Sequence, residues 1–503
     1  MSAIRSTPNQ ALPGKKSDAA VPRAVFRARI PPILGWLGIA VTGIALGLFV
    51  VLLFPSLPTE WALLILLAIA FCFALVIVGN VRKVLLSLIL LDIPFQLDYY
   101  IGYQREAARF GAIVGLGISV TTICLLVLYF MWISERLVKG GPTLGTLFRD
   151  SLPPLLYLVC VGISFLVARD VSYSLYEFFM LAQIFLLYIY VLGTVRDRND
   201  VLFIMALLLI GLVLESLVMI FLQITGTPFR VAGISGVIQP DNNIPVLASR
   251  VGGTLGSPNT AASYLSLLLA PALSMLIARV AREYKWLAMI AFGLGTVGLI
   301  FSFSRGGWTA FALSTAALFL LVWLNRRLSP KLPLVLIILL TVIFLMFTEE
   351  ISGRFAGDDL GSAQSRIPQY ELAFRIIMDH PLFGVGANNY GLTISEYTTP
   401  SSSKDLFVWA VHNKYLLVWA ETGIFSLLAF LTFLIGAIRR GLSVWRMNDP
   451  ILSPLALGFS VALAGQMIHM SVDVFHSRPQ VQLLWLAIAL VLSMRNIVRE
   501  SPA

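Results

Sequence analysis

Runs of roughly twenty apolar residues, each long enough to cross the hydrocarbon of a bilayer as a helix, recur throughout this sequence. A crossing segment of that length has to satisfy its backbone hydrogen bonds internally, which restricts it to helix. The runs fall near residues 33–54, 60–79, 84–101, 112–133, 152–168, 174–194, 201–223, 259–279, 286–303, 307–324, 333–348, 412–438, 451–473 and 480–495. The third is the least regular, because Asp92 and Pro94 interrupt it. The expectation is an all-α polytopic membrane protein of about fourteen transmembrane helices. With 58% of residues hydrophobic and 12% charged, the composition lies outside the range of soluble domains.

The formal charge of +10 invites comparison with nucleic-acid binders. The basic residues, however, sit in small clusters between apolar runs, which is how topology is encoded. No nucleic-acid partner is expected. Placing the N-terminus in the cytoplasm puts Arg82-Lys83, Arg136 with Lys139, Arg196 with Arg198, Arg279 with Arg282 and Lys285, Arg326-Arg327, Arg439-Arg440, and Arg495 with Arg499 all on the inner side. One missed span would break that alternation, so both termini are expected in the cytoplasm. Residues 1–29 are basic (Arg5, Lys15, Lys16, Arg23, Arg27, Arg29), too long for a secretory n-region, and no small-residue cleavage site follows the first run. They read as a disordered cytoplasmic tail before a retained span. Cys72, Cys124 and Cys160 lie in or beside apolar runs without pairing or metal spacing and read as small core residues.

The long connection 349–411, between spans eleven and twelve, carries its own apolar periodicity and aromatic residues. A connection of that length inside a compact protein is usually functional or disordered. It is read as a folded outer-face loop. The other outer connections hold Tyr99 to Arg109, the loop 224–258 with Arg250, the turn Ser304-Arg305-Gly306-Gly307, and His476-Ser477-Arg478. Basic residues are discouraged on this side. Snorkelling or a salt bridge explains any one arginine, whereas four or five on one face point towards an anion site.

Arg305 sits where span nine turns into span ten. A helix beginning near Gly306, capped by Ser304, would offer free N–H groups and the positive end of its dipole to a phosphate. A plain tight turn is the equal alternative. Arg366 opens a helix-like stretch that ends at His380-Pro381, with Ser365 as its cap and Ile367, Tyr370, Phe374 and Ile377 on one face. An arginine in a first helical turn is unfavourable unless an anion is close. His412 opens span twelve, where a neutral imidazole can act as general base on a hydroxyl; an interfacial cap is the alternative. Glu421 in the same span and Glu215 in span seven are costly in lipid and therefore functional or paired. His469 and Asp473, four apart, can pair with each other. Gly384-Val385-Gly386 does not complete GxGxxG, Ser401-Ser402-Ser403-Lys404 matches SxxK within a serine run, and no metal-ligand spacing or Asp-x-Asp occurs.

Four elements together resemble the O-antigen ligase and O-antigen polymerase family of integral membrane glycosyltransferases. They are Arg250 to Asn259 (RVGGTLGSPN), Phe303 to Gly307 (FSRGG), Arg366 with the turn Pro381 to Gly386, and His412-Asn413 followed by Gly423. They define a family-like region at 245–440, preceded by transmembrane helices in 30–244 and followed by further helices and a cytoplasmic tail in 441–503. The resemblance implies a periplasmic reaction on a glycan carried by undecaprenyl diphosphate. Arg305 and Arg366, joined by Arg250, would hold the diphosphate, and His412 would activate the acceptor hydroxyl. Ser304, Tyr370, Asn413, Glu421 and Glu215 would support them, with no metal and no cofactor. Polymerisation of O-antigen or exopolysaccharide repeats is the favoured activity, with anomeric inversion. Ligation to lipid A–core is the alternative, although Ser426 departs from the ligase-type pattern after the histidine. A chain-length regulator and a flippase are the implied protein partners, alongside membrane lipids. A lipid-linked glycan transporter is the alternative of another class, and its signature would be discontinuous helices and internal repeats around midplane charge.

Overall fold

The computed structural model describes residues 79–139, 144–231, 233–239, 249–325, 366–397 and 410–500. The basic tail 1–29, the expected spans 33–54 and 333–348, and all but the last residue of 60–79 lie outside them. The described chain runs α1 (Val81–Phe95), β1 (Asp98–Ile101), α2 (Arg105–Arg109), β2 (Leu116–Ser119), α3 (Val120–Lys139), α4 (Leu144–Ile163) and α5 (Val171–Thr194). It continues with α6 (Arg198–Thr225), β3 (Phe229–Val231), β4 (Ile234–Gln239), β5 (Arg250–Gly253), α7 (Pro258–Ile277), α8 (Arg282–Phe301) and α9 (Arg305–Leu324). The long connection 349–411 contains α10 (Arg366–Asp379) and α11 (Tyr390–Tyr397), and after it come α12 (Lys414–Arg446), α13 (Leu452–His469) and α14 (Arg478–Glu500). Among the described residues, ten helices are long and apolar enough to cross a membrane. Among the described residues the fold is all-α apart from two small antiparallel sheets, β1–β2 and β3–β4–β5.

The expected span at 84–101 is not one continuous helix. α1 has 15 residues and ends at Gln96, which adopts left-handed geometry with φ 50°. The following residues pair as β1 with β2, so the run beginning at 112 becomes helical only at Val120. Asp92 explains the change. Its buried carboxylate accepts from the Leu97 N–H (3.1 Å), the Thr121 N–H (3.2 Å) and the Thr121 hydroxyl (2.8 Å), and it pairs with Arg478 (2.9 Å). A carboxylate with that many partners binds the end of α1 to the start of α3 instead of letting the helix continue.

α7, α13 and α14 form the centre, with 89%, 83% and 83% of their spanning windows buried, whereas α3, at 22%, lies at the periphery. Small residues allow the central crossings. A Cβ on Gly458 would come 2.3 Å from Ser274 Oγ of α7, and one on Gly465 2.1 Å from Ser314 Oγ of α9. A single polar knot ties α13 to α7: Gln466 Nε2 donates to Ser263 O (2.9 Å) and Ser266 Oγ (2.8 Å), while its Oε1 accepts from Ser263 Oγ (2.9 Å).

The described connections gather at two ends of the bundle that differ in character. At one end the cation-rich connections converge: Arg198 pairs with Asp449 (2.7 Å), and Arg440 and Arg495 flank Asp150 (3.5 and 3.7 Å). At the other end the long connections interlock. Gln96 Nε2 reaches Thr254 O (2.9 Å), Asn388 Nδ2 reaches Ile113 O (3.0 Å) and Tyr173 O (3.1 Å), and Arg169 pairs with Glu396.

Candidate functional site

The site begins where the chain enters α12. Asn413 caps this helix, its Oδ1 accepting from the N–H groups of Tyr415 (3.0 Å) and Leu416 (3.1 Å). The Lys414 N–H donates to Met470 O (2.8 Å), which fixes the entry against the segment following α13. His412 stands immediately before the cap. Gln369 Oε1 lies 3.2 Å from its Nδ1 and 3.5 Å from its backbone N–H. The hydroxyl of the next residue, Tyr370, lies 3.3 Å from His412 O and 3.1 Å from Ser471 O. α10 is therefore stitched to both sides of the entry, and Arg366 is its first residue.

The face that α10 buries is only partly the expected one, since Ile377 is buried and Tyr370 packs against the same cluster. Leu372, Ala373, Ile376 and Ile377 pack with Val385, Tyr390 and Val411, whereas Ile367 and Phe374 are 59% and 49% exposed. The helix is rotated so that Gln369, instead of Ile367, turns inward. His412 gives that amide a partner, and the apolar side chains of Ile367 and Phe374 are left exposed.

Arg305 opens α9, and Ser304 caps that helix, its Oγ accepting from the Gly307 N–H (3.4 Å). The tight entry puts Phe303 at φ 48°. Arg250 braces the same turn, donating from Nε to Ser302 O (3.3 Å) and from Nη2 to Asn259 Oδ1 (2.8 Å). The first turn of α9 meets the end of α13, because a Cβ on Gly306 would lie 2.6 Å from His469 Cδ2. α13 stops at His469, so Asp473 is not its partner within a helix; Asp473 accepts from Gln480 Nε2 (2.9 Å). Arg250, Ser304, Arg305, His469, Tyr370, Arg366 and His412 thus form a continuous neighbourhood at one end of the bundle.

Electrostatics joins its members. Burial holds the His412 imidazole below its ordinary value; the Arg366 guanidinium pushes the same way, and the Asp473 carboxylate opposes both. His476 is pushed down to about 4, chiefly by burial and by the Lys414 ammonium. Both rings are therefore neutral near pH 7.

Glu421 belongs to an adjoining polar pocket. Its Oε1 accepts from the Tyr390 N–H (3.1 Å). With Glu177, Asn388, Tyr390, Lys414 and His476 it lines a small pocket. The sequence reading missed Glu177, although the cost that singled out Glu215 and Glu421 applies equally to this carboxylate in α5. Two residues on, α12 breaks at Gly423 (φ 83°, ψ 175°). The turn Pro381–Gly386 seals the break: the N–H groups of Val385 and Gly386 donate to Ala420 O and Glu421 O (2.9 Å each), and the Ile424 N–H donates to Pro381 O (3.1 Å). Glu215 is not drawn into this neighbourhood. It accepts from the Thr254 N–H (2.9 Å) and meets the Thr254 hydroxyl, so it pins the loop after β5 to α6. Arg478, counted among the outer arginines, is taken up by Asp92 and Asp98 (3.0 Å). Among the described residues no group of three or more His, Cys, Asp or Glu side chains could hold a metal ion.

The family described as O-antigen ligase matches residues 290–431. That segment contains Ser304, Arg305, Arg366, Tyr370, His412, Asn413 and Glu421, and leaves out Arg250 and Glu215. The match supports the resemblance to the O-antigen ligase and polymerase family and a membrane function of that type. With the apolar helices it implies a multi-pass protein of the inner membrane. No curated protein matches the chain.

Proposed function

We propose that the protein transfers a glycan from undecaprenyl diphosphate to a sugar hydroxyl at the periplasmic face, extending O-antigen or exopolysaccharide repeats. The observation that carries this reading is one helix, α10, that begins with Arg366 and hydrogen-bonds to His412 within its first turn. A cation suited to diphosphate is thereby tied to a base suited to a hydroxyl. Arg305 at the N-terminus of α9 supplies a second cation and the positive end of a helix dipole. Diphosphate is a good leaving group once its charge is neutralised, and two arginines with a helix N-terminus can neutralise it. The acceptor oxygen attacks the anomeric carbon and passes its proton to the His412 imidazole. The bond from that carbon to the diphosphate oxygen breaks with its electron pair on the diphosphate, and the configuration inverts. Arg250 and Ser304 shape the arginine-bearing turn, and Tyr370 and Asn413 hold the entry to α12. Ligation to lipid A–core uses the same donor chemistry, and the description of the matched family favours it as the second reading.

The test uses the purified chain with lipid-linked repeat isolated from producing cells. His412→Ala should lower turnover on the order of 10²–10⁴-fold while donor binding survives. His412→Gln, which keeps a polar group without useful basicity, should fare little better. Near wild-type assembly by the glutamine variant would remove His412 as the base.

A further inference from the structure

We infer that Gln369 is the positioning residue that fixes the tautomer of His412, placing the hydrogen on Nδ1 and leaving Nε2 as the basic nitrogen. The inference rests on the reading of His412 as the base and adds the group that prepares it. Gln369 Oε1 lies between two nitrogens of His412, 3.5 Å from the backbone N–H and 3.2 Å from the ring Nδ1. A backbone N–H can only donate, so the amide atom facing it is the carbonyl oxygen and not the NH₂ group. The same oxygen faces Nδ1, so Nδ1 must also donate. A neutral imidazole has one N–H, and with that hydrogen on Nδ1 the free lone pair lies on Nε2.

The residue type matters as much as the contact. A carboxylate at this place would orient the ring equally well but would also stabilise the imidazolium and hold the site protonated. An amide orients the ring without adding charge. Gln369 is itself 8% exposed, so water competes little for its oxygen. The adjacent residue, Tyr370, holds the His412 carbonyl, so consecutive residues of α10 hold the backbone and the ring of the same histidine. This accounts for the rotation of α10, since a helix that buried Ile367 would turn Gln369 away from the ring.

Two measurements on the full chain in lipid nanodiscs test the inference. Nitrogen-15 NMR of histidine-labelled protein reads the tautomer directly, with the His412→Gln spectrum identifying the resonance. The expected result is His412 protonated at Nδ1 in the wild type and a mixture of tautomers in Gln369→Ala. Turnover is then measured against pH with the isolated lipid-linked repeat. Gln369→Ala should lower kcat on the order of 10–100-fold, as removal of an orienting partner does elsewhere, with KM for the donor unchanged. Gln369→Glu should keep the Nδ1 tautomer and recover kcat at high pH, with its acidic limb displaced upward by about 1–3 pH units. A residue that served only as packing would not move that limb. Protonation of wild-type His412 at Nε2, or an acidic limb in Gln369→Glu that coincides with wild type, overturns the inference. Wild-type turnover by His412→Gln would instead overturn the base reading, and the NMR result alone would then decide what Gln369 does to the ring.

Discussion

Gly423→Ala addresses the join on which the site is built. α12 leaves helical geometry at this residue with φ 83° and ψ 175°, a conformation almost confined to glycine. Holding alanine there costs about 1–3 kcal/mol. The new Cβ would also lie 1.9 Å from Leu382 O, 2.3 Å from Leu382 C and 2.7 Å from Phe383 N. Those are backbone atoms of the turn that seals the break, so the turn itself has to move. Its displacement breaks the bonds from Val385 N–H, Gly386 N–H and Ile424 N–H, each contributing about 1 kcal/mol. The combined loss is roughly 4–6 kcal/mol, comparable with the whole stability of many domains. Gly226→Ala provides the control: it also has a left-handed φ of 63°, but a Cβ there meets nothing within 4 Å, so it should cost only about 1 kcal/mol. Thermal unfolding of both variants in detergent, followed by tryptophan fluorescence, gives the comparison. Gly423→Ala should melt well below Gly226→Ala or fail to accumulate. Equal melting of the two would refute the claim that the Pro381–Gly386 turn and the helix break form one close-packed unit.

Four other outcomes are expected. Arg305→Lys and Arg366→Lys keep the charge but lose the planar fork that contacts two phosphate oxygens, so each should weaken donor use while leaving expression intact; wild-type activity in both would remove the anion site. Asp473→Asn takes away the influence that raises the His412 value. If His412 is the proposed base and works in its neutral form, activity is lost as pH falls through that value, and the acidic limb of kcat should move to lower pH; an upward shift would contradict the assignment. Arg478→Leu strands two buried carboxylates, Asp92 and Asp98, and should destabilise the fold by about 3–5 kcal/mol, with partial recovery when both are changed to asparagine. Finally, cysteine at Tyr103 should react with an impermeant thiol reagent in outer-permeabilised cells, and cysteine at Arg446 should not; the reverse would invert the topology.

The sequence made the spans legible because lipid imposes one rule on every residue of a run, and that rule needs no knowledge of neighbours. Ser304 as the cap of a helix beginning near Gly306 was legible for a similar reason, since capping is decided within a few residues, and α9 opens one residue earlier at Arg305. What stayed hidden depended on partners far away in the chain. Arg478 looked like part of an anion-binding face because its partners, Asp92 and Asp98, lie more than 370 residues earlier. The inward face of α10 was misjudged because apolar spacing alone favours Ile367 and Phe374, and only the position of His412 makes the polar Gln369 the inward residue. Gly423 and the turn Pro381–Gly386 were both visible as motifs. That one seals the other appears only when the two segments, some forty residues apart, are brought into contact.

The broken helix also bears on the choice between an enzyme and a transporter. Discontinuous helices in transporters leave free backbone groups at the break, and these groups bind the substrate or coupling ion. In α12 the carbonyls of Ala420 and Glu421, and the N–H of Ile424, are instead bonded to the Pro381–Gly386 turn. The Glu421 side chain is likewise engaged by the Tyr390 N–H. A break with these backbone groups already bonded within the protein has fewer of them left to offer a passing ion. It can, however, set geometry. The short segment from Lys414 to Thr422 is capped by Asn413 at one end and clamped by the turn at the other. His412 stands beside that cap, so its position is fixed by contacts at both ends of the segment and by α10 across from it. An imidazole held at both ends of its segment suits the proposed reaction at a defined carbon better than it suits a transport cycle, which has to let its site move.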